Sequence, residues 1–247
     1  MSLENRVAVI TGGTRGIGKG IALDLARHGA KIALAYRANK GAAQNALRQL
    51  QTVCSDCIAV ETNIIEAVRA EQLIKTVADR YGRIDVLVNN VGEFRWGTLA
   101  ESSIDEWMSI FDSNVMTVFH MSRAVLPIMR KGRWGRIINL GAVGAERAFG
   151  QAKISAYAAA KAAVVAMSRS LALEEAKNGI TVNVVNPSNI DEKDITLEEA
   201  RKMKDARYPI GRPPTIADVA AAVSFFASEE AEYVTGQVVN VSGGWML

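Results

Sequence analysis

The stretch TGGTRGIGKG, residues 11–20, follows the apolar run RVAVI (residues 6–10) and opens an amphipathic pattern. Its glycines at 12, 16 and 18 are spaced G-x-x-x-G-x-G. Such glycines let the chain turn sharply and let backbone N–H groups approach a pyrophosphate at a helix N-terminus. A glycine-rich turn that binds nothing would look similar, but at a first strand-to-helix junction the motif favours a dinucleotide site. The Gly-Lys-Ser/Thr ending of a P-loop is missing.

Outward from this loop, short β-branched runs alternate with longer helical patterns. Strands are predicted at residues 6–10, 31–36, 57–62, 83–89, 135–140, 180–185 and 237–241, and helices begin near Gly16, Lys40, Glu66, Ser103, Ser155 and Thr215. Most of these strands are apolar throughout, as expected for strands covered on both faces. Repeated βαβ units predict one α/β domain over residues 1–247, a doubly wound parallel sheet of about seven strands with helices on both faces.

Composition excludes several classes of protein. The 247 residues are 49% hydrophobic and carry 29 basic against 26 acidic side chains, a net charge of +3 without charged runs. This balance favours neither a nucleic-acid partner nor an anionic membrane. The first residues, MSLENRVAVI, lack a basic region before a long apolar stretch, and no segment reaches the ~18 apolar residues of a membrane span. We therefore expect a cytoplasmic protein.

Two cysteines, Cys54 and Cys57, are spaced CSDC. This spacing is found in redox motifs and in half of a zinc site. Four-coordinate zinc needs two more ligands, and the two histidines, His28 and His120, do not form a metal-binding pair. We predict reduced structural thiols and no metal.

The end of the second predicted strand bears on the cofactor. In nicotinamide-binding folds, an acidic residue there accepts hydrogen bonds from the ribose 2′-hydroxyl of NAD, whereas a basic residue accommodates the 2′-phosphate of NADP. The segment AYRANK, residues 35–40, has no carboxylate and contains Arg37 and Lys40, with Arg15 expected nearby. NADP is therefore predicted over NAD.

The stretch SAYAAAK, residues 155–161, places Tyr157 and Lys161 four residues apart. On a helix both side chains emerge on one side, one turn apart. A nearby ammonium favours the phenolate and lowers the pKa of a tyrosine, which suits proton transfer. Such a pair also arises by chance on helix surfaces, so its meaning depends on the rest of the chain.

The ordered set of TGGTRGIG (11–18), NNVG (89–92), Asn114, and Tyr157-x-x-x-Lys161 closely resembles the short-chain dehydrogenase/reductase family. The likeness extends over VNVVNP (182–187), PIGRPPTIADVA (209–220) and VTGQVVNVSGG (234–244), and is strongest to the 3-oxoacyl-acyl-carrier-protein reductase branch. It implies a Rossmann fold, NADP-dependent reduction of a carbonyl, and a homotetramer formed through helices around residues 103–130 and 155–177.

The resemblance also implies residue roles. Tyr157 would protonate the carbonyl oxygen. Lys161 would lower the pKa of Tyr157 and hydrogen-bond the nicotinamide ribose, and Asn114, within a long helix, would hold a water that continues the proton path. The residues assigned to the cofactor are Gly12, Thr14, Arg15, Gly16, Ile17, Gly18, Arg37, Asn63, Ile64, Asn90, Gly92, Tyr157, Lys161, Pro187 and Ile190.

The chain departs from the family at the serine that precedes the tyrosine. Aligning INLGA on the family's I-N-I-S-S places Ala142 at that serine, and no hydroxyl lies between Asn139 and Ser155. Losing one positioned donor commonly lowers the rate by about 10² to 10³. Gln151 could offer an amide donor instead, whereas Ser155 is expected to cap the helix. Further departures near the cofactor are Asn63, Val91, Ser188 and Glu192.

Two functions therefore remain open. One is an NADP-dependent reductase of a ketone or 3-oxoacyl substrate, whose pocket is bordered by Phe94, Trp96, Ala142 and Gln151 and covered by a lid within residues 188–208. The other is a dinucleotide-binding protein with little or no turnover that acts as a regulatory or partner subunit. Tyr157, Lys161 and Asn114 favour the first, and Ala142 and Glu192 favour the second.

Overall fold

All seven predicted strands occur in a computed structural model, which describes residues 1–190 and 195–246. They are β1 Val7–Thr11, β2 Lys31–Tyr36, β3 Ile58–Glu61, β4 Val86–Asn89, β5 Gly135–Leu140, β6 Ile180–Pro187 and β7 Val238–Val241. Within the described residues they form one sheet in the order β3-β2-β1-β4-β5-β6-β7. Every neighbouring pair is parallel. The predicted fold class is confirmed.

Helices occupy the connections at the predicted places. They are α1 Gly16–Arg27, α2 Lys40–Leu50, α3 Ala67–Tyr81, α4 Ile104–Phe111, α5 Thr117–Gly132, α6 Ser155–Glu175, α7 Leu197–Lys202 and α8 Ile216–Ala227. A π-helical turn, Asp112–Met116, joins α4 to α5. The short helix α7 lies in the polar segment after β6, where the sequence predicts only a long excursion; Thr196 and Glu199 cap it reciprocally. No helix in the described part of the chain is long and apolar enough to span a membrane.

Alternate residues of the central strand β1 point into two separate cores. Ala8 and Ile10 pack in the layer that contains α1 and α8. Val7 and Val9 pack in the opposite layer with α3 and α5. Because both faces are covered, most strand positions are apolar, which explains why the strands read as apolar runs. Polar residues that are buried within them, such as Asn139 and Asn183, make side-chain hydrogen bonds.

The sheet order reverses between β1 and β4. The chain leaves β1 toward β2 and β3 on one side, and leaves β4 toward β5, β6 and β7 on the other. In open α/β sheets a crevice forms at such a reversal, beyond the carboxyl ends of the strands. The glycine loop, Arg37, Gly92 and Ala142 all follow strand ends at this edge.

Cys54 and Cys57 form a disulfide in the connection between α2 and β3. The prediction of reduced thiols is therefore wrong. The turn brings the two Cα atoms to 6.3 Å, within the range that a disulfide spans. The pair lies at the amino end of β3, at the opposite edge of the sheet from the glycine loop.

Candidate active site

The glycine loop after β1 has a conformation that requires glycine. Gly12 and Gly16 have φ of +62° and +53°, a region that residues with a Cβ rarely adopt. A Cβ at Gly18 would lie 2.6 Å from Asn90 Nδ2 and would crowd the carbonyl of Gly12. The loop therefore packs directly against the end of β4, which leaves its backbone open to a ligand in the crevice.

Asn90 and Thr11 hold the loop in place. Asn90 Nδ2 donates to the carbonyl oxygens of Thr11 at 3.0 Å and Gly12 at 3.3 Å. The Thr11 hydroxyl accepts from the backbone N–H of Asn90 at 2.9 Å and of Val91 at 3.1 Å. Asn90, predicted as a cofactor residue, thus supports the loop. Thr11 was missed by sequence reasoning because a threonine ending a strand carries no distinctive pattern.

The other predicted cofactor residues lie around the same crevice. Thr14 is buried, and Arg15 is exposed at the N-cap of α1 without a side-chain capping bond. Beyond β3, Ile64 is buried and Asn63 Nδ2 donates to Glu66 at 3.1 Å. The remaining positions are Ile17, half-buried on α1; Pro187, the last residue of β6; and Ile190, buried in the α1–α8 core. Glu192 lies outside the described residues.

The basic side chains beyond β2 are paired with carboxylates. Arg37 Nη1 lies 3.6 Å from Glu93 Oε1, and Lys40 Nζ lies 3.3 Å from Glu61 Oε2. Arg37 follows β2 and Glu93 follows β4, so their ion pair crosses the end of β1, which lies between these strands. The role of Glu93 was missed because the pairing depends on strand order.

Tyr157 and Lys161 lie on one side of α6, as predicted. Lys161 is buried, and its Nζ donates to the carbonyl oxygen of Leu140 at 2.8 Å. Nζ is 5.6 Å from the centre of the Tyr157 ring. Burial lowers the pKa of Lys161 to about 8 and raises the pKa of Tyr157 to about 12. In the protein without cofactor, desolvation of the phenol sets the pKa of Tyr157, and a lowering of that pKa by Lys161 stays a prediction.

Asn114 lies in the π-helical turn rather than in a regular helix. Its Nδ2 donates to the carbonyl oxygens of Glu93 and Ile110, each at 2.9 Å. Its Oδ1 is buried and has no hydrogen-bond partner among the described residues. A side chain at Gly92 would collide with this oxygen and would lie 3.3 Å from Lys161 Nζ. The widened turn thus directs an open acceptor toward Lys161, a frequent use of π turns at functional sites.

These residues fit a nicotinamide dinucleotide. The Lys161 ammonium has three donors, of which the described residues engage one, at Leu140. The unpartnered Asn114 oxygen and the absence of a side chain at Gly92 leave room and hydrogen-bonding capacity beside it. A ribose carries hydroxyl groups that both donate and accept, so it would satisfy these groups.

Ala142 follows β5 and is half-buried. The loop after it is held by a polar cluster that sequence reasoning missed: Glu146, Asn186 and Asn240. Asn186 Nδ2 donates to Glu146 Oε2 at 3.0 Å and to Asn240 Oδ1 at 2.9 Å, and Asn240 Nδ2 donates to Glu146 Oε1 at 2.9 Å. The polar groups beside Ala142 therefore bind one another.

Gln151, the suggested substitute for the serine, is exposed and makes no side-chain hydrogen bond within the described residues. Ser155, expected to cap the helix, is the first residue of α6, and the N-cap position belongs to Ile154, without a side-chain capping bond. The expectation for Ser155 is wrong, because the helix begins at Ser155 itself, one residue earlier than a cap at this serine requires.

Phe94 contacts Tyr157, and Trp96, the other aromatic residue predicted to border the pocket, contacts Phe94. The rings of Phe94 and Tyr157 are 4.9 Å apart and nearly perpendicular, at 83°. Trp96 contacts Phe94 in the same way, at 5.1 Å and 86°. The backbone N–H of Gly97 donates to the carbonyl of Lys153 at 2.9 Å, which joins this loop to the segment before α6.

Comparisons with known proteins identify relatives of the whole chain. A family model described as enoyl-(acyl carrier protein) reductase matches residues 12–246. An oxidoreductase of Bacillus subtilis is 36% identical over 97% of this chain and 96% of its own. A 3-oxoacyl-[acyl-carrier-protein] reductase of Vibrio cholerae is 39% identical over the full length of both chains. A solved 3-oxoacyl-reductase from Bacillus thuringiensis superposes with a TM-score of 0.89 at 33% identity, covering 96% of this chain and 97% of that one.

Proposed function

Because the chain belongs to the short-chain dehydrogenase/reductase family, we propose that it reduces a ketone or 3-oxoacyl carbonyl to the alcohol, with NADPH as the hydride donor. The observation that carries the proposal is the grouping of Tyr157 and Lys161 on one turn of α6 with Asn114 and Gly92 beyond β4. The alternative function, dinucleotide binding without turnover, would use Asn114 and Lys161 for the ribose but gives no role to the hydroxyl of Tyr157.

The residues divide the work of the reaction. NADPH supplies the hydride to the carbonyl carbon when bound. The hydroxyl of Tyr157 donates the proton to the carbonyl oxygen, and a pKa of about 12 keeps that hydroxyl protonated at neutral pH. Lys161 would hold the cofactor's ribose by a hydrogen bond, and its ammonium would return a proton to Tyr157 along a path that ends at Asn114. The backbone of the glycine loop and the N-terminus of α1 would hold the pyrophosphate.

Ala142 predicts a slow enzyme. An alanine at this place offers no hydrogen bond to fix the carbonyl, and one missing donor of this kind lowers the rate by about 10² to 10³. In the cluster of Glu146, Asn186 and Asn240, both N–H groups of the Asn186 amide are engaged, and Asn240 Nδ2 uses one of its two, toward Glu146.

The test is NADPH oxidation with a panel of ketones and 3-oxoacyl thioesters, for the natural chain and for Ala142→Ser. We expect measurable turnover in the natural chain and a gain of about tenfold or more in the variant. If neither protein turns over any substrate while NADPH still binds, the reductase proposal fails. Turnover by the serine variant alone would identify the natural chain as a binding protein that has lost its activity.

Arg37 supports NADP as the cofactor. Its side chain is 65% exposed at the end of β2, where a 2′-phosphate would lie. Arg37→Ala should weaken NADPH binding about tenfold and leave NADH binding within about twofold. Equal losses for both cofactors, measured by titration of the reduced nicotinamide fluorescence, would remove this argument.

A homotetramer in the cytoplasm remains our prediction. Ile104 on α4 and Leu173 on α6 are each 82% exposed, and large apolar side chains exposed on helices favour contact with another subunit. Size-exclusion chromatography with light scattering would measure the assembly. A monomer would contradict the prediction without affecting the proposed reaction.

A further inference from the structure

We propose that Phe94, supported by Trp96, selects the substrate: the site takes ketones that carry an aromatic ring next to the carbonyl. The inference rests on the proposed carbonyl reduction and narrows its substrate class. It starts from the row of perpendicular rings formed by Trp96, Phe94 and Tyr157.

Phe94 borders the space that a substituent on the carbonyl carbon would occupy. A carbonyl oxygen that accepts a proton from Tyr157 comes within about 2.6–3.2 Å of its hydroxyl. The group attached to that carbonyl then extends over the immediate surroundings of the tyrosine ring. The ring of Phe94 is 4.9 Å from that ring and 49% of Phe94 is exposed, so an incoming group meets an open aromatic surface.

The loop holds these rings in place while leaving their faces open. Before Phe94, the backbone of Glu93 donates to Ser113 Oγ at 3.3 Å and accepts from Asn114 Nδ2 at 2.9 Å. After Trp96, the backbone of Gly97 bonds to Lys153. Trp96 itself is 58% exposed. A loop fixed on both sides of two exposed rings is a preorganised surface for a flat ligand.

A cavity behind Trp96 extends this surface. Its volume is about 230 Å³, and its lining is mixed: the apolar part is Trp96, Trp107, Ile110 and Ala156, and the polar part includes Arg95, Glu101, Ser102, Glu106 and Ser155. Arg95 is bonded to Glu106 at 2.7 Å, so this cation already has an anionic partner. Two indoles and an isoleucine offer a surface to an apolar ring, whereas the carboxylates of Glu101 and Glu106 disfavour a phosphate-bearing carrier arm.

Rings gain from such contacts beyond simple burial. Perpendicular or offset aromatic pairs contribute enough to change affinity by about three- to tenfold over an aliphatic group of similar size. We therefore expect a modest preference for aromatic over aliphatic ketones. It should depend on the ring of Phe94 and not on its volume, which Phe94→Leu largely keeps.

The test compares acetophenone with methyl hexyl ketone, a straight-chain ketone of equal carbon number, and with an acetoacetyl thioester of N-acetylcysteamine. The natural chain should show the highest kcat/KM with acetophenone. Phe94→Leu should lower the ratio of acetophenone to methyl hexyl ketone by about three- to tenfold, mainly through KM. Trp96→Leu should have a smaller effect in the same direction.

Phe225→Leu is the matched control. Phe225 is likewise 40% exposed and contacts a neighbouring ring, Phe226, at 5.5 Å. Phe225 lies near the end of α8, close to Ser228. The carbonyl of Ser228 accepts a hydrogen bond from Arg136 at the start of β5, so Phe225 lies at the edge of the sheet opposite to the crevice. This variant should leave the ratio unchanged.

Binding of acetophenone to the protein loaded with NADP⁺, followed by ligand-observed NMR, separates the two proposals. If no ketone turns over but acetophenone binds and Phe94→Leu weakens it, the ring site stands and the proposed reaction fails. If the thioester or methyl hexyl ketone is the better substrate, or if Phe94→Leu leaves the ratio unchanged, the ring site is overturned while the reductase stands. Absence of acetophenone binding would also overturn it.

Discussion

On the dinucleotide side of the crevice, side chains form hydrogen bonds with backbone groups. Beyond β5 and β6, side chains form hydrogen bonds with one another. Thr11 and Asn90 bind the main chain of the glycine loop and of β4. Glu146, Asn186 and Asn240 form a hydrogen-bonded cluster after β5 and β6. The first arrangement leaves backbone groups facing the ligand; the second engages both carboxylate oxygens of Glu146 and both N–H groups of Asn186 within the cluster.

The difference shows how the family's fold can keep its cofactor while its substrate side changes. The dinucleotide site depends on glycine conformation and strand order, which tolerate little change. The loop after β5 contributes only side chains to the substrate site. Replacement of the family's serine by Ala142 therefore changes the chemistry of the site without changing the sheet. Tyr157 lies at the boundary of the two regions, and most of the catalytic effect should depend on it.

The largest effect is expected from Tyr157→Phe, which removes the only proton donor that we assign to the reaction. Loss of a general acid lowers the rate by about 10² to 10⁴. NADPH affinity should change by less than about tenfold, since one hydroxyl hydrogen bond contributes about 1 kcal/mol. The ring, and with it the contact to Phe94, is kept. Tyr233→Phe, at a fully exposed tyrosine, is the control for both measurements. Retained turnover would assign the acid elsewhere.

Gly18→Ala addresses the dinucleotide side alone. The new methyl group would press on Asn90 Nδ2 and on the carbonyl of Gly12, so the loop must move or strain. Overpacking of this kind costs about 1–3 kcal/mol, and we expect NADPH binding to weaken by about tenfold or more. Gly132→Ala is the control, because nothing lies within 4 Å of its added Cβ. Unchanged NADPH affinity by titration calorimetry would show that the loop does not receive the cofactor.

The fold was predictable because burial on both faces marks each strand as an apolar run; KIALAY and GRIINL have the bounds of β2 and β5. The pair Tyr157 and Lys161 was predictable from helix geometry. The π turn at Asn114, the Arg37–Glu93 pair and the contact of Phe94 with Tyr157 depend on how distant segments meet, which periodicity does not encode. The disulfide of Cys54 and Cys57 was missed because the two thiols were taken as structural once a zinc site was excluded, whereas their pairing depends on the turn between α2 and β3.

The pH dependence of reduction tests Lys161 and Tyr157, which lie at the boundary between the two regions. The pKa of Lys161 is about 8, so its ammonium is present below pH 8 and is lost above it. In contrast, Tyr157, with a pKa of about 12, stays protonated. We expect kcat/KM to be level below pH 8 and to fall by about tenfold per pH unit above it. Lys161→Arg should lower activity but abolish this decline, because guanidinium stays charged. A decline that persists in Lys161→Arg would assign the titration to another group.

The smallest effect is expected within the dinucleotide side, where the Arg37–Glu93 pair crosses the end of β1. Glu93 holds Arg37 at 3.6 Å and places a negative charge near the expected 2′-phosphate. Glu93→Gln keeps the side-chain length and an acceptor for Ser109, which donates to Glu93 Oε2 at 3.2 Å. Both partners are exposed, so the pair contributes at most about 1 kcal/mol, and NADPH binding should tighten by about two- to fivefold. The gain should disappear at high salt. Asp79→Asn, which breaks the exposed pair with Lys75 on α3, should change nothing. Weaker NADPH binding in Glu93→Gln would instead mean that Glu93 helps to place the cofactor.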